Sequence, residues 1–301
     1  MSANAKRLGV IGAGNIGGAI AANLLADGHA VTVHDVDAAR LKPLVRAGAS
    51  AADSPAAVAA QSEITFTSLP SPAVMEAVAH AWLAGAERDA VLVDLSTNAP
   101  ATVRAVGSRL ASAGRHLLEA PLTGGAPGAQ ARMLVFMVGG DAAVYARCLP
   151  LLQKLGRAVF HVGALGLGNT AKLVNSLLAF SATWVSLEGL AIAAKAGMNL
   201  RTMIDVIRTG GAGNFFTDRM VEGINERGRP TQFALGLAAK DAGLLLDVAR
   251  EAAVPVPVAA EVAQALVAAV GAGLGARDFT DIVELIERQA GVTLRLPPAA
   301  T

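Results

Sequence analysis

Apolar residues follow two rhythms along the chain. From residue 7 to about 162, short runs rich in Val, Ile and Leu alternate with stretches whose apolar positions fall three and four apart. The short runs predict strands over 8–11, 31–34, 64–68, 91–94, 116–119, 135–138 and 159–162. The longer stretches predict helices over 16–26, 38–47, 75–83, 101–113 and 142–155. Strands alternating with helices imply a mainly parallel sheet covered by helices on both faces. After Gly168 the strand rhythm stops. The remainder of the chain predicts one long helix to about 196, then helices near 200–208, 216–226, 233–253, 257–271 and 278–290, punctuated by Gly210, Gly211, Gly213, Pro230, Pro255 and Pro257. The expected organisation is an α/β N-terminal domain (1–163), a long interdomain helix (164–197) and an all-α C-terminal domain (198–301).

Composition narrows this picture. A chain of 301 residues, 53% hydrophobic and 16% charged, suits a compact enzyme with a sizeable core, and neither a disordered nor a fibrous chain. A net charge of +1 provides no basic field for nucleic acid. The single cysteine, Cys148, rules out an intramolecular disulfide framework and reads as an inert packing residue. His29, His34, His80, His116 and His161 have no paired spacing, so no metal site is expected. Residues 1–7 lack the apolar core of a secretory signal, which predicts a cytoplasmic protein. The stretch 171–194 is apolar enough to resemble a membrane span. It carries Lys172, Asn175 and Glu188, each costly in hydrocarbon, so a buried central helix and no membrane are expected.

The stretch "VIGAGNIGGAI" places Gly12, Gly14 and Gly17 between the first predicted strand and a helix, with Asp35 at the end of the second strand. In that context Gly12 permits a tight turn, Gly14 lets the backbone approach a pyrophosphate, and Gly17 allows close packing of helix on strand. The helix start at Asn15 and Ile16 offers N–H groups and a positive dipole end to phosphates. Asp35 can accept the ribose hydroxyls and would repel a 2′-phosphate, which favours NAD, while Arg40 in the following helix leaves NADP open.

Four further segments carry candidate chemistry. In "GLGNTAKLVNSLLAF", Leu173, Leu177, Phe180 and Trp184 form an apolar stripe, whereas Lys172, Asn175, Ser176 and Ala179 share another face. Burial and the helix N-terminus would both lower the pKa of Lys172 and fit it for proton exchange with a hydroxyl. A lysine stem reaching out to solvent is the competing reading. In "DLSTNAP", Ser96 and Thr97 follow a strand and offer hydroxyls, although the same residue types cap helices. In "EAPLTGG", Thr123, Gly124 and Gly125 present a hydroxyl and successive N–H groups to a carboxylate, or form an ordinary turn. In "FALGLAAKDAGLLLDVA", Lys240 lies on an apolar stripe beside Asp241, a pattern shared by a functional lysine and a buried ion pair.

Together the glycine loop at 12–17, "LPSP" at 69–72, "DLST" at 94–97, "EAPLTGG" at 119–125, "GLGNTAKLVNS" at 166–176 and "AAKDAGLLLD" at 238–247 resemble the β-hydroxyacid dehydrogenase family over nearly the whole chain. The resemblance implies a Rossmann-like N-terminal domain, an interdomain helix and an all-helical C-terminal domain that often helps form homodimers or homotetramers. It implies Lys172 as catalytic acid/base and Asn175 as the residue orienting the reacting group. Ser96, Thr123, Gly124, Gly125 and Lys240 would hold a small carboxylic-acid substrate, while Leu69, Pro70, Thr97 and Lys240 would line the cofactor. Glu119, Leu122 and Thr123 depart from the family's common Asp-Ala-Pro-Val-Ser-Gly-Gly, and Ser176 replaces the second of two asparagines. The added methyl of Thr123 trims the substrate pocket. The expected reaction is reversible oxidation of a short 3-hydroxy acid to its semialdehyde with NAD, or with NADP. Candidate acids include 3-hydroxyisobutyrate, glycerate, serine, threonate and sulfonated analogues. The rival readings are a reductase of aldehydes (tartronate or succinic semialdehyde, glyoxylate) or imines on the same scaffold, and a non-catalytic nucleotide-binding protein. A lysine at 172 argues against imine reduction.

Overall fold

The structure, a computed structural model, describes residues 5–298, so the expectation drawn from residues 1–7 falls mostly outside it. Nine strands among the described residues form one sheet: β1 (Arg7–Ile11), β2 (Ala30–His34), β3 (Ser50–Ala51), β4 (Ile64–Thr67), β5 (Val91–Asp94), β6 (His116–Glu119), β7 (Leu122–Thr123), β8 (Leu134–Gly139) and β9 (Gly156–Gly163). Their order is β3-β2-β1-β4-β5-β6-β8-β7, with β9 also pairing β8. Every pairing from β3 to β6 is parallel. Strand β8 runs antiparallel to β6 and β7 and parallel to β9, a local departure from the parallel pattern.

Helices α1 (Asn15–Ala26), α2 (Ala38–Arg46), α3 (Pro55–Ala60), α4 (Pro72–Leu83), α5 (Pro100–Ser112), α6 (Gly125–Gln130) and α7 (Ala142–Leu155) connect the strands. They bury the sheet on both faces. Ile64, Phe66, Val91 and Val93 pack with Ile20 and Leu24 of α1 and with Cys148 and Leu152 of α7. Leu92 and Leu117 pack on the opposite face with Met75 and Trp82 of α4 and Val103 and Leu110 of α5. Burial pushes the Cys148 thiol up to about 11, so this buried cysteine stays protonated and inert at neutral pH.

The remaining helices are α8 (Leu167–Lys195), α9 (Leu200–Thr209), α10 (Leu235–Glu251), α11 (Pro257–Ala269) and α12 (Val283–Ala290). The stretch expected as a helix over 216–226 is instead a wide π turn, Phe216–Met220, followed by a 3-10 turn, Val221–Asn225. Side chains explain the irregularity. Asn214 Oδ1 accepts the Phe216 N–H at 3.0 Å, and the Arg208 guanidinium takes the Thr217 carbonyl, so groups that would close α-helical turns are engaged elsewhere. The helix expected over 278–290 likewise opens with a 3-10 turn, Phe279–Ile282, capped by Asp278, before α12.

The described chain divides into two compact units, one ending at Lys172 and the other beginning at Leu173. The core of the second comprises Phe180, Leu187 and Leu190 of α8 with Ile204, Phe216, Leu235, Leu266, Phe279 and Ile286. Both α8 and the stretch Pro257–Leu274 are long and apolar enough to cross a membrane by length and composition; the second was not foreseen from the sequence. Each buries one side within the second unit's core.

Candidate functional site

Strands β1 and β4 lie side by side where the chain order of the sheet reverses, and the loops after them leave from the same carboxyl end, where open α/β sheets hold ligands. Gly12 has φ +89°, and its N–H donates to the His34 carbonyl at 2.9 Å. A Cβ there would lie 2.3 Å from the Ser68 carbonyl oxygen. A Cβ at Gly17 would lie 1.9 Å from the Gly12 carbonyl oxygen, so α1 rests directly on the loop. Gly14 differs from both. Its backbone is ordinary, with φ −70° and ψ −163°, and a Cβ would meet only the Arg40 guanidinium at 3.7 Å. The fold therefore does not require glycine at 14, and the space it leaves is the space a pyrophosphate needs. No side chain caps α1 and no acidic residue sits in its first turn, which leaves the positive end of the helix for an anion. Asn15 is exposed at this start and Ile16 packs on the core below. These residues fit a dinucleotide.

Asp35, just past β2, ties the loop down. Its Oδ2 accepts the Ala13 N–H at 2.6 Å and its Oδ1 the Asp37 N–H at 2.8 Å. The half-exposed Arg40 reaches Asp35 at 3.8 Å and Asp37 at 3.4 Å. Each Asp35 oxygen keeps acceptor capacity beyond its backbone partner.

Ser96 belongs to a buried polar network. Its hydroxyl donates to Asp94 Oδ1 at 2.7 Å and accepts the Leu69 N–H at 2.8 Å, which joins the loops after β4 and β5. Asp94 also receives the Thr67 hydroxyl at 2.8 Å and the Asn98 amide at 2.7 Å. Burial pushes the Asp94 carboxyl up, against these hydrogen bonds. Neither Ser96 nor Thr97 caps α5, whose N-cap is Ala99. With its one proton given to Asp94, Ser96 can face a ligand only as an acceptor. Thr97 is half-buried and Pro70 exposed.

Thr123 ends β7, and Gly124 and Gly125 follow with φ +120° and +61°, a double left-handed turn that glycine adopts without strain. Lys172 and Asn175 lie three positions apart on α8, the lysine half-buried and the asparagine exposed. The start of α8 is not bare: the buried Glu119 carboxylate accepts the N–H groups of Gly166, Gly168 and Asn169. The positive end of the helix is thus met by a carboxyl group, which weakens the expected influence of the dipole on Lys172. Burial pushes Glu119 up, against four hydrogen bonds that favour its charged form. In the second unit, Lys240 on α10 pairs with Asp241 at 3.0 Å. Sequence reasoning missed the roles of Asp94, Asn98, Glu119 and Asn169. The available signal was a carboxylate closing each of the apolar runs "VLVD" and "HLLE".

Known proteins resemble this chain over most of its length. Residues 7–163 match the NAD-binding domain of 6-phosphogluconate dehydrogenase, and residues 166–286 match the family described as NAD-binding of NADP-dependent 3-hydroxyisobutyrate dehydrogenase. A 2-(hydroxymethyl)glutarate dehydrogenase of Eubacterium barkeri is 33% identical over 96% of this chain and 97% of its own. A 3-hydroxyisobutyrate dehydrogenase of Pseudomonas aeruginosa is 34% identical over 83% and 87% of the respective chains. The solved 3-hydroxyisobutyrate dehydrogenase of Mycobacterium tuberculosis with L-serine superposes with a TM-score of 0.86 at 27% identity, covering 94% of this chain and 99% of that one. The chain belongs to the β-hydroxyacid dehydrogenase family, NAD(P)-dependent oxidoreductases of hydroxy acids.

Proposed function

We propose that this protein reversibly oxidises a short 3-hydroxy acid to its semialdehyde, with Lys172 moving the hydroxyl proton. The observation that carries this reading is the open seat at Gly14 on a loop whose other two motif glycines are locked against backbone carbonyls, in a chain that also holds a half-buried lysine on α8. NAD(P), when bound, supplies the two-electron acceptor for the carbinol hydrogen. The Thr123–Gly125 turn holds the substrate carboxylate through its N–H groups. Neutral Lys172 accepts the proton as the O–H bond breaks; in the reverse direction its ammonium returns that proton to the aldehyde oxygen. Asn175 aligns the reacting group. Relatives named for 3-hydroxyisobutyrate, 2-(hydroxymethyl)glutarate and L-serine support a small hydroxy acid as substrate. NADH formation over a panel of such acids tests the reading, and silence across the panel with NAD binding retained overturns it.

NAD is the proposed physiological cofactor, in a cytoplasmic setting. Asp35 presents acceptors to ribose hydroxyls and repels a 2′-phosphate, while Arg40 lies 3.8 Å away. Asp35→Ser removes the repulsion and frees Arg40 for the phosphate, so the NADP-to-NAD ratio of kcat/KM is expected to rise about tenfold or more. An unchanged ratio places the discrimination elsewhere.

A homodimer or homotetramer is also proposed. Val174, Leu178, Val185 and Ile192 lie 47%, 66%, 60% and 72% exposed along α8 at spacings that share one helix face. An apolar stripe of that length is expected to be covered by a second copy. Light scattering on the purified protein should give a multiple of the 30.3 kDa chain, and Leu178→Glu with Ile192→Glu should reduce it. A monomeric parent protein would contradict the assignment.

A further inference from the structure

The start of α8 is built against a carboxylate for which the proposed reaction has no use. Glu119, the last residue of β6, is fully enclosed. Its Oε1 accepts the N–H groups of Gly166 and Gly168, the latter at 3.0 Å. Its Oε2 accepts the Asn169 N–H at 3.0 Å and the Asn169 side-chain amide. Asn169 Oδ1 in turn accepts the Asn98 N–H at 2.7 Å, and Asn98 Nδ2 donates to Asp94 Oδ2 at 2.7 Å. A continuous buried chain therefore links Asp94 and Glu119, register neighbours on β5 and β6, to the first turn of the helix that carries Lys172. Two glycines shape the seat. A Cβ at Gly139 would lie 2.2 Å from Glu119 Oε1, and one at Gly168 would lie 2.9 Å from Glu119 Cδ.

A buried carboxylate carries a desolvation cost, offset here by satisfying helix N–H groups that apolar packing would leave unpaired. What the carboxylate adds is direction: four donors converge on two oxygens and fix both the rotation and the height of the first turn. Lys172 follows Asn169 by three residues, so the setting of this turn is passed to its side chain.

We propose that Glu119 is a positioning residue for Lys172, acting through Asn169 and the first turn of α8. The inference rests on the reading of Lys172 as the proton-transfer group. A double-mutant cycle separates the two. Steady-state oxidation would be followed for the parent protein, Glu119→Gln, Lys172→Ala and the double variant. L-serine and 3-hydroxyisobutyrate serve as probes, with assays run over hours to resolve the slow lysine-free background. Dissociation constants for NADH and amide hydrogen exchange of residues 166–172 would be measured on the same proteins. The neutral amide of Gln must point its NH2 at two donors, so the turn shifts. Glu119→Gln should lower kcat about tenfold or more while NADH affinity stays within about twofold, and exchange at 166–172 should quicken. Glu119→Asp, which keeps the charge on a shorter stem, should fall between Gln and the parent. In the Lys172→Ala background Glu119→Gln should cost nothing further, because its effect runs through the missing lysine.

An equal loss in both backgrounds, or no loss in either, overturns the proposal and leaves Glu119 as a cap only. Unchanged turnover in Lys172→Ala alone overturns the lysine reading, and the inference with it. If Glu119→Gln does not fold, the same cycle with Glu119→Asp decides between these outcomes.

Discussion

Lys172→Ala is expected to lower kcat about a thousandfold, within the range that a positioned proton-transfer group contributes. NADH affinity should be nearly unchanged, because the glycine loop, Asp35 and α1 are held by contacts that do not involve this residue. Lys172→Arg gives the sharper result. Arginine keeps the positive charge and much of the aliphatic stem but cannot give up its proton at any working pH, so a lysine that acts as a base is not replaced by it. An arginine variant as slow as the alanine variant assigns proton transfer to Lys172. Near-parental turnover in the arginine variant reduces Lys172 to an electrostatic contact and removes it from the proton path.

The second large effect is expected at Gly14. Gly14→Val places a branched side chain where only the Arg40 guanidinium stands nearby, on a backbone that valine adopts without strain. Folding should lose only about 1 kcal/mol, the difference between glycine and valine at a helix N-cap. Affinity for NADH should fall about a hundredfold, because the side chain fills the approach to the N–H groups of α1. Gly12→Ala supplies the contrast. There the added carbon meets a backbone carbonyl at 2.3 Å and φ is +89°, so stability falls together with binding. Calorimetric unfolding and fluorescence titration of NADH on both variants separate a ligand seat from a structural turn. Parental NADH affinity in Gly14→Val would remove the pyrophosphate from this loop.

Much of the first unit was legible because its signals are local. The runs "VLVD" and "HLLE" and the helix at 142–155 occur as expected, and the other expected elements of this unit shift by a few residues at their ends. The unforeseen elements β3, β7, α3 and α6 span two or six residues, too few for either periodicity to register. The irregular turns at 216–225 escaped for another reason. The apolar spacing there is helical, but Asn214, Thr217 and Arg208 compete for the backbone, and periodicity does not register such bonds. The glycine loop could be read because the spacing of Gly12, Gly14 and Gly17 between a strand and a helix is itself a sequence pattern. Glu119 stood out as a carboxylate closing an apolar run and as a departure from a familiar motif, but its partners, 47 to 50 residues further on, were not legible. The ion pair of Lys240 with Asp241 lay between those extremes, visible as a juxtaposition but without a geometry.

The separation between Glu119 and its partners bears on the order in which the protein can be made. Gly166, Gly168 and Asn169 emerge 47, 49 and 50 residues after the carboxylate they satisfy. A nascent chain that ends with the last described strand, at Gly163, lacks the four donors that the acid at the end of β6 accepts among the described residues. That end must stay wet until the next few residues leave the ribosome. The opening turn of a helix that continues into the second unit thus completes this end of the sheet, and the first compact unit runs on past its last strand to Lys172.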